Sequence, residues 1–140
     1  MAGYSGKPLV QKLGIKPGFC IFVDGLSSTA YDDFVGKLPD DVTIAKTARA
    51  PLDMVHLFAA EAKGLAAKLR GYRKAIAPDG MIWASWPKKA SGVATDVTEA
   101  LVRETALANG LVDIKICAVD DVWSGLKLVI PLKDRAKLAK

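Results

Sequence analysis

Trp83-Ala84-Ser85-Trp86-Pro87-Lys88-Lys89-Ala90-Ser91-Gly92 decides how this chain is read. With Met81 and Ile82 ahead of it, the first half is a short apolar run of strand length, expected over Met81–Trp86. Positions i and i+3 of a strand face opposite sides, so Trp83 and Trp86 do not share one pocket. Trp83 is assigned to the core, and Trp86, at the strand end, is a candidate for a site. Pro87 stiffens the exit because its ring fixes φ. Lys88 and Lys89 then place two ammonium groups beside small residues, with Ser91 nearby. A helix is expected to start soon after, capped by Thr95 or Asp96, and Glu99 stands where a capping box would put it. Two lysines beside a helix start suit a phosphate or a carboxylate.

Upstream, Phe19-Cys20-Ile21-Phe22-Val23 is a continuous apolar run closed by Asp24-Gly25. It reads as a central parallel strand covered on both faces. Ser27 or Ser28 can cap a following helix that carries Tyr31, Phe34, Val35 and Leu38 and stops before Pro39. Val42–Ala45 is a shorter strand nearer an edge, and Met54–Ala59 is a third strand reached without a helix. Glu61–Ala77 is the clearest helix: Leu65, Leu69, Tyr72 and Ile76 draw one stripe, with Lys63, Lys68, Arg70 and Lys74 largely off it. Pro78-Asp79-Gly80 is expected to turn the chain into the Trp83 strand. Before all this, residues 1–8 read as irregular and Pro8–Leu13 as a short helix. A phosphate loop at Gly3–Pro8 is rejected on its spacing.

Downstream, Val97, Leu101 and Ala108 face the core of the next helix, which Asn109-Gly110 ends. Val112–Val119 and Leu126–Ile130 alternate. Ile114, Ile116 and Ala118 share one face, and Leu126, Leu128 and Ile130 share another, as in an antiparallel pair. Strands alternating with helices define an α/β protein with parallel strands.

The 140 residues suit one domain, 1–132, followed by a basic tail, 133–140. At 51% hydrophobic and 25% charged, the composition is that of a globular protein. No apolar run approaches the roughly 18 residues of a membrane span, and the opening residues lack the core of a secretory signal. A cytoplasmic location is expected, with no membrane partner. The tail carries four basic residues against one acidic, a large part of the net charge of +5, so nucleic acid is not expected as a partner. Cys20 and Cys117 lie in apolar runs and read as reduced, buried thiols. With one histidine, His56, in an apolar strand, no metal site is expected. Asp120 and Asp121 read as a polar turn, with Trp123 folded back on the core.

The order of elements resembles the S-adenosylmethionine-dependent methyltransferase fold with one strand–helix unit missing, over roughly Leu9 to Ile130. Lys16-Pro17-Gly18 and the strand ending at Asp24-Gly25 resemble that family's opening turn and first strand. Residues 52–58, Leu-Asp-Met-Val-His-Leu-Phe, are similar to the strand after its cofactor strands. Ile76 to Trp83 is similar to its helix–Pro-x-Gly–strand segment. The resemblance implies a three-layer Rossmann-like sheet of about six strands, order 2-1-3-4-6-5, with strand 6 antiparallel. It also implies a glycine-rich turn after the first strand and an acidic residue after the second. Here the turn is Asp24-Gly25-Leu26-Ser27-Ser28, with one glycine, and Lys46 follows the second strand. Methyl transfer and a bound cofactor are therefore not expected. The Trp86–Asp96 and Gly110–Asp120 runs together also resemble a bacterial family of short proteins of unknown function, a resemblance that supports the fold and adds nothing on mechanism.

Ligands of open α/β sheets bind beyond the carboxyl ends of the strands. On that edge the ligand-binding candidates are Asp24, Gly25, Ser27, Trp86, Lys88, Lys89, Ser91, Thr95 and Asp96, with Ser28, Thr47, Arg49 and Glu61 nearby. Two readings stay open. One is a non-catalytic module that binds a small ligand or a protein on a degenerate methyltransferase-like fold. The other is an enzyme that holds a small anionic substrate with Lys88 and Lys89 and moves protons with Asp24 or His56. A mean hydropathy of +0.20 points to an apolar surface for a second copy or a protein partner.

Overall fold

The computed structural model describes residues 8–49 and 51–138; the expectations for residues 1–7 lie outside it. The elements run α1 (Leu9–Leu13), β1 (Cys20–Asp24), α2 (Ser28–Val35), β2 (Thr43–Ala45), β3 (Leu52–Phe58), α3 (Leu65–Ala75), β4 (Ile76–Pro87), α4 (Glu99–Ala108), β5 (Val112–Ala118), β6 (Trp123–Val129) and α5 (Leu132–Leu138). The six strands form one sheet in the order β2-β1-β3-β4-β6-β5. β2, β1, β3 and β4 are parallel, and β6 is antiparallel to both β4 and β5. This is the expected α/β sheet with its expected order.

Each face of the sheet has its own core. On one, Leu69 of α3 and Val102 and Ala106 of α4 cover Val55, Leu57, Ile82, Trp86 and Leu128. On the other, Leu13 of α1 and Tyr31 and Val35 of α2 cover Ile21, Met54, Trp83 and Val129. Trp83 and Trp86 thus bury themselves on opposite faces, as strand alternation requires. Trp86 is core rather than an open platform, at 6% exposure. Trp83 is fully buried, and its indole Nε1 donates to the Leu13 carbonyl at 2.9 Å, fixing α1 to β4. Gly125 makes room for it, since a Cβ there would lie 3.2 Å from Trp83 Cε3.

Several elements depart from the sequence reading. α3 begins four residues late and ends at Ala75, because Ile76 is already extended. Ala77-Pro78-Asp79-Gly80 does not separate helix from strand but bulges within β4. Leu52 pairs with Ile76 and Met54 with Met81, so β4 spends five residues where β3 spends two. The Asp53 side chain, at this irregularity, accepts from Cys20 N at 2.8 Å and holds β1 in place. α4 is capped by Thr98, whose Oγ1 accepts from Leu101 N, and not by Thr95 or Asp96. Val97 is buried ahead of the helix.

In β5 the ladder slips between Asp113 and Lys115. Ile114 and Ile116 consequently stand 56% and 51% exposed, and Cys117 is the residue that buries. The first part of the expected basic tail is α5, joined to α3 by an Arg73–Asp134 ion pair at 3.2 Å. No helix among the described residues is long and apolar enough to cross a membrane.

Candidate functional site

The carboxyl end of β1 carries a polar cluster on the edge where such sheets take ligands. Asp24 points toward α3. Tyr72 donates its phenolic hydrogen to Asp24 Oδ2, and Lys68 Nζ lies 3.2 Å from the same oxygen. Lys68 and Tyr72 are four residues apart on α3, hence neighbours on one helix face. The Tyr72 ring also tilts against Phe22, at 5.9 Å between centroids. Burial first, then the hydrogen bond and charge of Asp24, push the Tyr72 hydroxyl above its ordinary range. It is a neutral donor at physiological pH.

Two cavities flank this cluster, and Lys68 borders both. One, of about 360 Å³, is lined by Ala48, Ala67, Lys68, Gly71 and Tyr72. The other, of about 250 Å³, lies past the end of β3, where Phe58, Ala59, Glu61, Lys63 and Lys68 line it. The small residues Ala67 and Gly71 leave the first cavity open along α3, with the Tyr72 ring as one wall.

The turn after β1 faces protein on one side and solvent on the other: Gly25 and Ser27 are exposed and Leu26 is half-buried. Gly25 adopts φ +104°, a conformation glycine tolerates. A Cβ there would stand 2.7 Å from the Phe58 carbonyl oxygen and 2.9 Å from Phe58 Cβ. One side of Gly25 therefore faces the end of β3 closely. Ser27 caps α2, its Oγ accepting from Ala30 N at 3.1 Å.

The loop after β4 is organised differently from its sequence reading. Lys88 Nζ donates to the Asp120 carbonyl at 2.7 Å, and Lys88 N to the Val122 carbonyl, tying the loop to the β5–β6 turn. Lys89 is exposed. Ser91 Oγ donates to the Lys88 carbonyl and accepts from Val93 N, closing a turn. Neither lysine borders either of the two cavities. Thr95 donates to the Ala60 carbonyl at 2.6 Å, and Asp96 accepts from Ala62 N at 2.7 Å. These two side chains clamp the wall of the smaller cavity. Replacing Asp96 by alanine removes one such bond and is expected to cost about 1 kcal/mol. Hydrogen exchange should show it as faster exchange at the Ala62 amide, with α4 unchanged.

The structure thus brings together Asp24, Lys68 and Tyr72, and separately joins Thr95 and Asp96 to the cavity wall. It leaves Trp86 in the core and Lys88 on a carbonyl. Lys68 and Tyr72 were missed in the sequence because one reads as a solvated charge and the other as part of an apolar stripe. Their spacing of four, opposite an aspartate that ends a strand, is the one available signal.

A buried polar relay lies on the other face. Tyr31 OH bonds His56 Nδ1 at 2.8 Å, and His56 Nε2 bonds Ser85 Oγ at 2.9 Å, with all three buried. His56 is a core histidine as expected, but its partners are distant in sequence. No group of three or more metal-ligating side chains occurs among the described residues.

No family model matches the chain, and no curated protein does. Solved structures do. An S-adenosylmethionine-dependent methyltransferase from Aquifex aeolicus superposes with a TM-score of 0.68 at 12% identity, over 92% of this chain and 91% of that one. A TehB-like S-adenosylmethionine-dependent methyltransferase from Corynebacterium glutamicum gives 0.60 at 11% identity, over 88% and 85%. A precorrin-6y C5,15-methyltransferase from Geobacter metallireducens gives 0.58 at 9% identity, over 88% and 85%. The chain has the methyltransferase-like Rossmann fold.

Proposed function

We propose that the chain is a small-ligand-binding module on this fold, with an anionic ligand held beside Lys68. The position of Lys68 carries the proposal. Its side chain is 48% exposed, borders both cavities, and has as ion-pair partner an aspartate already engaged by Tyr72. An anionic group entering either cavity meets this cation. An apolar body would rest on Ala48, Ala67 and Gly71 against the Tyr72 ring, the mix of apolar wall and few polar groups usual in ligand sites.

On this reading the ligand is not S-adenosylmethionine, and three features support that. The turn after β1 holds a single glycine, Gly25, and one side of it lies on Phe58. Lys46 follows β2 in place of an acid that could accept from ribose hydroxyls. Asp24 already receives Tyr72 and Lys68. The enzymatic alternative at Lys88 and Lys89 draws no support from the geometry, since Lys88 is engaged and neither lysine borders a described cavity.

The test is thermal unfolding and calorimetry with benzoate, indole-3-acetate and S-adenosylmethionine as probes. The expected result is saturable stabilisation by an aromatic carboxylate, reaching about 2.7 kcal/mol at about 100 times its dissociation constant. Lys68→Ala should weaken it by roughly tenfold, a loss of about 1.4 kcal/mol. Stabilisation by S-adenosylmethionine alone, or carboxylate binding untouched by Lys68→Ala, would overturn the proposal.

A further inference from the structure

On the α1 and α2 face of the sheet, remote from Lys68, three strands place Trp83, Lys127 and Lys115 side by side. Lys127 is the register partner of both Trp83 in β4 and Lys115 in β5. Directly opposed residues of an antiparallel pair carry their side chains on the same face, with Cβ atoms about 5 Å apart, and like charges there repel. Lys115 reaches toward α1, donating to the Lys12 carbonyl at 3.3 Å. Lys16 follows that helix and is exposed, as is Lys115, while Lys127 is half-buried. Among the described residues no carboxylate forms an ion pair with Lys16, Lys115 or Lys127. Asp113, the acid on β5, pairs with Arg103 of α4 on the opposite face.

We infer that this face binds the phosphodiester backbone of a nucleic acid through Lys16, Lys115 and Lys127. A cross-strand lysine pair costs the fold stability unless a counter-anion meets it. Burial first, then the charges of Lys115 and Lys16, hold the Lys127 ammonium below its ordinary range, so an anion seated there recovers what the pair loses. None of Lys16, Lys115 and Lys127 lines either of the two described cavities. An exposed cationic patch of this kind suits an extended polyanion, whose affinity comes from counterion release rather than enclosure. Net charge and the absence of a binding motif do not reveal the pair; the β5–β6 register does.

Fluorescence anisotropy with labelled 20-nucleotide single-stranded DNA and RNA and a 20-base-pair duplex, from 25 to 200 mM KCl, tests this. Three phosphate contacts predict a slope of log K against log salt of about −2 to −3, or roughly 20- to 40-fold weaker binding between 50 and 200 mM. Each of Lys115→Gln and Lys127→Gln should flatten the slope by about 1. Lys74→Gln, on the far face, should not. Circular dichroism confirms that the variants fold. The DNA and RNA arms distinguish which backbone is preferred, and binding to either supports the inference. Absence of binding at 25 mM KCl, a slope unchanged by both substitutions, or preference for phosphatidylserine vesicles over every oligonucleotide would overturn it.

Discussion

Trp83→Ala is expected to destabilise the fold by about 3–5 kcal/mol, the usual cost of emptying a buried aromatic site. The indole is fully buried on the central strand β4, contacts the glycine that makes room for it in β6, and anchors α1 through the Leu13 carbonyl. Total stability of a domain of this size is about 5–15 kcal/mol, so the loss is a large share of it. Trp83→Phe separates the two contributions. It keeps most of the ring but leaves the Leu13 carbonyl without its donor, for a cost of about 1–3 kcal/mol. Urea unfolding at neutral pH measures both. Equal midpoints for Trp83→Ala and wild type would show that α1 and the Trp83 contacts are dispensable.

The second large effect is acid sensitivity through His56. Burial lowers its pKa from 6.5 to about 3. The folded state therefore keeps the ring neutral between Tyr31 and Ser85, while the unfolded chain protonates it below about pH 6.5. As pH falls from there toward 3, the unfolded state binds a proton that the native state refuses, and stability declines. The contribution is fully present above pH 6.5, and its loss amounts to something on the order of 5 kcal/mol. His56→Leu should flatten the difference in stability between pH 7 and pH 4 relative to wild type. It also strands the Tyr31 hydroxyl and Ser85 Oγ, so the variant starts less stable at pH 7. An identical pH dependence in the two proteins would mean that His56 titrates freely in the native state.

Much of this fold was legible because strand-length apolar runs are local. Phe19–Val23, Met54–Ala59 and Met81–Trp86 read as buried strands, and the antiparallel alternation of the last two strands placed them together. Contacts that join distant residues were not legible. Asp24 meets Lys68 and Tyr72 from 44 and 48 positions away, and His56 meets Tyr31 and Ser85 across two further elements. Alternation did not reveal which residues of the edge strand β5 bury, because the ladder slips. A single irregularity after Asp113 turns Ile114 and Ile116 outward, because a one-residue shift exchanges the faces of a strand. Lys88 looked like an anion ligand because a carbonyl partner in the β5–β6 turn has no signature in sequence.

The sheet is methyltransferase-like, the Gly25 turn lies against β3 on one side, and ligand space lies beside Lys68. Titration of ¹⁵N-labelled protein with S-adenosylhomocysteine, followed at the amides of Gly25, Leu26 and Ser27, tests that most directly. The predicted result is no saturable shift at these amides up to roughly 1 mM ligand, a bound weaker than about 4 kcal/mol of binding. Saturating shifts centred on Gly25, with a dissociation constant of roughly 10 μM or tighter, would contradict it.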